Sequence, residues 1–494
     1  MKRPNHILLA WALLLILRAS VLAIGLDRLP LFPAVPDEAD LADPAMSLSQ
    51  GHGWRAPSFA HSPNGEDRFY ALFPPLFPLI QAAVFRAFGL SPIALRASSV
   101  IASELACLAF LAAMWELRRR ETAGDAATLW CGALLILEPT TIVRARLGRM
   151  EPLVLLFAGL GLYFALRAER DAKRATTWWL AAAVASGLAL ATHPAAIALA
   201  LALAIWGGRR WMAVNAAALL VPLAVYAAAY RERTIEAFQQ LVRHTGGAPP
   251  PSLNSGEIAV AITSGSFHDV FALGGVALFW IYLSVLAAFI ARRRQDVSRL
   301  AAMALVPILL FAFFIPGSKS DRVILALPYA MLCLAAMPRP GKLVTVAACI
   351  ALVAELAICS AYLWDLRRNW TDRAPDRLDA IAQVVPRETR IAAVPEFWYA
   401  FLRQNRPLTV IQHRHFAEPN FWIEDPHPFD EYDVVILDSV EWDWAALREK
   451  ALARHPYGLD CASFHHRFVV FSRMRVEPSD TCRVTFDNPS PKSF

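Results

Sequence analysis

Ile7-Leu8-Leu9-Ala10-Trp11-Ala12-Leu13-Leu14-Leu15-Ile16-Leu17 opens an apolar run that continues to Gly25, and Pro36-Asp37-Glu38-Ala39-Asp40 follows it. The run is long enough to cross a bilayer. A carboxylate at the edge of hydrocarbon is costly unless it is solvated, paired or bound to a cation, so three of them there mark a candidate site. The plain alternative is a hydrated acidic loop, and the rest of the chain has to decide between the two.

The composition fits a membrane protein. The 494 residues are 56% hydrophobic and only 18% charged, with a mean hydropathy of +0.39, whereas about a quarter of a soluble domain is charged. Apolar segments recur up to Trp364, and beyond it the composition turns polar. The expected organisation is a transmembrane body over residues 1–364 and a soluble domain over 365–494. A net charge of +6 could suggest nucleic acid, but the arginines fall in short clusters between apolar runs, which is the pattern of cytoplasmic loops. Met1-Lys2-Arg3 before the first run resembles a signal peptide. The run is too long for one and lacks a small-x-small cleavage site, so it reads as an uncleaved first span with a cytoplasmic N-terminus.

The arginine clusters then set the topology. Leu72-Phe73-Pro74-Pro75-Leu76-Phe77-Pro78, running on to Gly89, is apolar but carries three prolines. If it spanned, Arg118-Arg119-Arg120 would end the next helix on the outside, so it is expected to lie along the outer interface. The spans that follow are 91–117, 126–143, 152–166, 178–191, 194–206, 211–230, 270–290, 300–315, 323–337 and 344–364, about eleven in all with the first. This leaves four outward loops, 27–90, 144–151, 231–269 and 316–322, and an extracytoplasmic tail.

In that tail, 390–394, 433–438 and 467–471 read as short buried strands, and 376–384 and 444–453 as helices. A small α/β domain of about 120 residues is the expected result. Five of the seven cysteines lie in apolar segments, where a thiol is usually a small hydrophobe. Cys461 and Cys482 stand together in the tail, and a disulfide between them is expected if the tail lies outside the cytoplasm.

Chemistry should concentrate in the outward loops. Arg144-Ala145-Arg146-Leu147-Gly148-Arg149-Met150-Glu151-Pro152 places three arginines and an acid where positive charge is disfavoured. Guanidinium binds phosphate through paired, charge-assisted hydrogen bonds, so a phosphate-bearing ligand is the natural partner. Contacts to lipid headgroups, or pairing with Asp37 and Glu38, are the alternatives. Ser318-Lys319-Ser320-Asp321-Arg322 repeats the basic pattern just before a span, though a single such site more often snorkels to headgroups. His193, at the outer end of a span before Pro194, is a further candidate contact, against the commoner structural role of a lone histidine.

In order, these features are an apolar span, an Asp-Glu loop, a Pro-Pro-Leu-Phe-Pro interfacial segment, Leu90-Ser91-Pro92-Ile93-Ala94-Leu95-Arg96 opening the next span, and Gly148-Arg149-Met150-Glu151. The order resembles the GT-C membrane glycosyltransferases, in the branch of the protein O-mannosyltransferases and lipid A aminoarabinose transferase. The resemblance is best over residues 1 to 200, thinner over 315–337 and weak in the tail. It implies a GT-C-like helical body, with interfacial helices in the first outward loop, in a bacterial inner or plasma membrane. It also implies inverting transfer of a hexosyl or pentosyl group from a polyprenyl-phosphate donor to a hydroxyl of a lipid, glycan or protein at the outer membrane face.

On that resemblance Asp37, with Glu38 beside it, is the general base or acceptor-orienting carboxylate. Glu151 is the second-loop acid, where many relatives carry Asp. Arg146 and Arg149 would face the donor phosphate, with Lys319 and Arg322 matching a late basic stretch. Thr192-His193-Pro194 stands where several relatives have Lys-Gly-Pro. Asp37, Glu38 or Glu151 can take a divalent cation, although the sequence shows no dedicated cage for one. The competing reading is a transporter or flippase of a lipid-linked sugar, and the paired half-repeats common in transporters are not seen in the sequence.

Overall fold

The computed structural model describes residues 5–28, 36–59, 67–120, 123–246, 295–314, 324–336, 342–369, 375–404, 406–411, 429–438, 444–463 and 466–487. Five helices among them are long and apolar enough to cross a membrane: His6–Ala23, Pro92–Arg119, Asp125–Ala145, Glu151–Arg170 and Cys349–Arg368. The chain divides into two units. One comprises Met1–Ile24, Leu72–Phe77 and Arg96–Leu363, the other Gly25–Ala71, Pro78–Leu95 and Trp364–Phe494.

The first unit is helical because hydrocarbon leaves an isolated backbone no other way to satisfy its own polar groups. Its described helices are α1 (Asn5–Ala23), α4 (Pro92–Arg119), α5 (Asp125–Leu137), α6 (Pro139–Ala145), α7 (Glu151–Arg170), α8 (Ala175–Leu190), α9 (Ile197–Tyr230), α10 (Thr234–Gly246), α11 (Gln295–Phe314), α12 (Leu327–Ala335) and α13 (Lys342–Arg368). Trp11, Phe110, Leu162, Leu203, Trp206, Leu300 and Tyr329 join these helices in an apolar core. Every residue of α12 is buried, so it packs from all sides. Gly187 lets α8 press against α9, where a Cβ would meet the Ala218 carbonyl and Val221.

Two departures from the sequence reading have local causes. Helix α9 runs unbroken for 34 residues through Arg209-Arg210, where two spans and a turn are expected. Arginine is a good helix former, and a pair of them marks a membrane boundary only by tendency. The span expected over 126–143 is present as Asp125–Ala145, but it carries an unexpected break at Glu138, whose ψ of 118° ends α5 and whose side chain accepts a hydrogen bond from Thr141 N–H at 2.6 Å to start α6. The residue before a proline avoids the helical region, and Pro139 is suited to the first helical position.

The break frees backbone acceptors inside the bundle, and α1 supplies a donor. Arg18, with no exposed surface, donates to the Ile136 carbonyl at 2.7 Å, to Thr141 Oγ1 at 3.0 Å and to Ser103 Oγ at 2.6 Å, and it pairs with Glu104 at 2.9 Å. A buried polar network of this kind is tolerable only because its members are paired.

In the second unit, α2 (Pro36–Ser49) carries the acidic stretch, and α3 (Leu76–Phe88), which begins in the first unit, supplies its residues from Pro78 on. At 13 residues α3 is too short to span. The tail holds α14 (Pro375–Gln383), α15 (Trp398–Arg403), α16 (Trp444–Arg454) and six strands: β1 (Ile391–Ala393), β2 (Thr409–Val410), β3 (Val434–Asp438), β4 (Tyr457–Ser463), β5 (His466–Ser472) and β6 (Cys482–Asp487).

They form one sheet in the order β2-β1-β3-β5-β4-β6, parallel across the first three strands and antiparallel beyond. Ala392, Val435, Leu437, Leu447, Ala451 and Phe471 pack as its core. The expected α/β tail is therefore present. Its strands β1, β3 and β5 fall where the β-branched runs place them, whereas β2, β4 and β6 are additions. Cys461 and Cys482, paired across β4 and β6, form a disulfide with an S–S distance of 2.09 Å.

Candidate active site

In the first unit the site is built on the short connection from α6 to α7. Gly148, at φ +53°, turns the chain where a side chain would be strained, and Glu151 begins α7, where the helix dipole favours negative charge. Arg149 folds back onto Glu151 two residues on. Its Nη2 lies 2.6 Å from Oε1, and its Nε lies 2.9 and 3.1 Å from the two oxygens. Both side chains are buried. Ser99 of α4 fixes the loop from behind, its hydroxyl donating to the Arg149 carbonyl at 2.5 Å.

His193 comes to the same charge. It caps the turn Pro194–Ala196, its Nδ1 accepting from Ala195 N–H at 2.9 Å. That bond leaves Nε2 to carry the ring proton, so the imidazole offers a donor. The ring stacks on Phe73 with centroids 6.2 Å apart, and Leu76 N–H donates to the Ala191 carbonyl, tying the segment before α3 to the histidine turn. Both His193 and Arg144 act electrostatically on the Glu151 carboxylate. Arg149 thus pairs with the acid directly, while Arg144 and His193 act on it electrostatically. A buried site with that balance is suited to an anion with several oxygens.

Arg146 also holds the loop to its neighbours. Its Nη1 donates to the Val21 carbonyl at 2.8 Å, and its guanidinium lies 5.2 Å from the Tyr362 ring, so it ties the loop to α1 and α13.

In the second unit Asp37 is the second residue of α2, and its side chain lies outside the described residues. Glu38 is buried in the first turn of the same helix. Lys319 and Arg322 also lie outside the described residues. Among those described, no group of three or more His, Cys, Asp or Glu is placed to hold a metal ion.

Sequence reasoning passed over Asp43, further along α2. It has no exposed surface and accepts from Ser58 N–H at 2.9 Å, Ser58 Oγ at 2.9 Å and Trp398 Nε1 at 3.0 Å. Burial pushes its carboxyl up to about 6, against these three hydrogen bonds, which hold it down. The local signal was only an acid before Pro44, with nothing nearby to indicate its partners.

Comparison with known proteins places this architecture. Residues 64–231 match the family model of the dolichyl-phosphate-mannose-protein mannosyltransferases. The fold is that of the GT-C membrane glycosyltransferases, as the resemblance read from the sequence implies.

Two of the solved structures with this fold illustrate the likeness. One is ArnT from Cupriavidus metallidurans bound to undecaprenyl phosphate, at TM-score 0.59 and 14% identity over 93% of this chain and 97% of that one. The other is the archaeal oligosaccharyltransferase AglB from Archaeoglobus fulgidus, in complex with an inhibitory peptide and a dolichol-phosphate. It aligns at TM-score 0.54 and 11% identity over 96% of this chain and 75% of that one. A search of curated protein sequences gives no match.

Proposed function

We propose that the chain is an inverting glycosyltransferase that takes a sugar from a polyprenyl-phosphate-linked donor and passes it to an acceptor hydroxyl at the outer face of the membrane. The observation that carries this reading is the buried Arg149–Glu151 pair, with His193 and the half-buried Arg144 acting electrostatically on the same carboxylate. Guanidinium and imidazole N–H groups gathered at one acid, inside an apolar bundle, suit an anionic ligand that the bundle can admit. A lipid phosphate meets both requirements. The likeness to a structure holding undecaprenyl phosphate supports the same class of ligand.

Transfer from such a donor needs little covalent help. The departing phosphate gains charge as the glycosidic bond breaks, and cations preset in a water-poor site stabilise that charge without reorganising. The acceptor hydroxyl must lose its proton as it attacks, and a carboxylate within hydrogen-bond reach contributes roughly two to four powers of ten. Asp37, aided by Glu38, is assigned that role; Glu151 orients Arg149. Lys319 and Arg322 are assigned as further phosphate contacts. Inversion needs no glycosyl-enzyme intermediate and hence no nucleophile.

The tail is assigned to the outside of the membrane, and its Cys461–Cys482 disulfide supports that side, because such bonds persist in oxidising compartments. A reporter fused after Phe494 should be active only outside the cytoplasm; activity inside would overturn the topology. Asp37→Ala and Glu151→Ala should each abolish glycan transfer in a protein that still folds, read by mass spectrometry of envelope lipids and glycans against a deletion strain. Intact transfer in both would overturn the reading, and loss of lipid translocation alone would point to a transporter instead.

A further inference from the structure

The second unit assembles α2 from outside its own neighbourhood in sequence. Asp43 gathers three donors, two from Ser58 and one from Trp398, the first residue of α15 and 355 residues away. Ser58 is held a second time, its carbonyl accepting from Val410 N–H on the edge strand β2 at 2.7 Å. The chain from α2 to Ser58 thereby extends the hydrogen bonding of the tail sheet, and Trp398 seals the joint with almost no exposed surface. A further tie runs from Arg86 Nη2 to the Leu48 carbonyl at the end of α2, at 3.3 Å.

Packing alone does not call for this arrangement. Apolar side chains of similar volume would hold α2 to the tail without the cost of desolvating a carboxylate. What three directed hydrogen bonds to one carboxylate add is a fixed position and rotation of the helix. Asp37 and Glu38 stand in the first turn of that same helix, six and five residues before Asp43.

We infer that the tail is a positioning device for the acidic helix: Trp398 and Ser58, through Asp43, set where the first turn of α2 places Asp37 and Glu38. Trp398 is on this account a positioning residue that touches no substrate, and the inference rests on the transferase reading only in giving Asp37 and Glu38 their task.

The test uses the full chain in lipid nanodiscs. Trp398→Phe keeps the ring and removes one donor, Ser58→Ala removes another and is the milder change, and Asp43→Asn replaces an acceptor oxygen with a donor. Amide hydrogen exchange over 36–49 should accelerate at least tenfold in each, while exchange in α7 and α8 and the affinity for undecaprenyl phosphate stay within twofold of the parent. Transfer in cells should fall at least tenfold.

Unchanged exchange over 36–49 in all three variants would overturn the inference whether or not Asp37 is catalytic. Accelerated exchange with full transfer would overturn it too, because placement of α2 would then not matter. If Trp398→Phe does not fold, Ser58→Ala decides by the same two readouts. An Asp37→Ala chain that retains transfer, with exchange over 36–49 matching that of the parent, would instead count against the transferase reading.

Discussion

Replacing Arg18 with methionine should cost the first unit about 3–5 kcal/mol, the range for breaking a buried pair by removing one partner. The structure explains why the figure is not smaller. Hydrogen bonds between membrane helices average only about 0.6 kcal/mol, because the alternative state also finds partners. Arg18 differs from them in carrying a charge with no exposed surface and in serving the Ile136 carbonyl, which the α5–α6 break leaves without a helical donor.

Losing the guanidinium strips the Glu104 carboxylate of its counter-ion, while Thr141 keeps its own bond to the Glu138 carbonyl. Most of the loss should therefore come from Glu104 and Ile136. Adding Glu104→Leu to Arg18→Met should recover at least about 1 kcal/mol, since no lone carboxylate is then left behind. Reversible unfolding in mixed micelles across a detergent series, for the parent, both single variants and the pair, gives the cycle. A single-variant cost under about 1 kcal/mol, or no recovery in the pair, would refute the argument that the charge, rather than the packing, anchors α1 to the broken helix.

Asp43 should make the second unit pH-sensitive. With its folded pKa raised to about 6 above an ordinary value near 4, the stability that Asp43 contributes is fully present below about pH 4 and falls by up to about 3 kcal/mol as pH rises to about 6. Asp43→Asn should flatten that slope in denaturation curves measured at several pH values. Converting Cys461 and Cys482 together to serine should lower the stability of the tail by about 2–4 kcal/mol; maleimide labelling of the unfolded, unreduced parent should find neither thiol. Arg149→Gln should weaken binding of undecaprenyl phosphate at least tenfold, by titration in nanodiscs, and an unaltered affinity would remove Arg149 from the phosphate site.

What the sequence discloses and what it hides divide along sequence distance. Apolar runs are local, and so are β-branched runs, so the membrane body and strands β1, β3 and β5 can be read directly. The Arg149–Glu151 pair is an exception: both partners sit in one short loop, yet the sequence points Arg149 to a phosphate or to Asp37 and Glu38. Strand β2 has two residues, too few for a period to appear, and β4 and β6 lack the dense β-branched signal that marks β3. Arg18 is masked by the apolar run around it, which on average hydropathy reads as an uninterrupted span.

Asp43 is the extreme case, since its decisive partner lies 355 residues away. The acids that sequence reasoning singles out, Asp37 and Glu38, and the one it passes over stand on a single helix. Glu38 and Asp43 are both buried, and residue type alone cannot reveal that. Only the fold shows that Asp43 is clamped by Ser58 and Trp398. Arg18 and Asp43 each satisfy backbone or side-chain groups from distant parts of the chain. In a chain that is 56% hydrophobic, nonspecific apolar contact is abundant and discriminates poorly between helix registers. The few buried charges therefore carry a disproportionate share of the information that sets where each loop ends up.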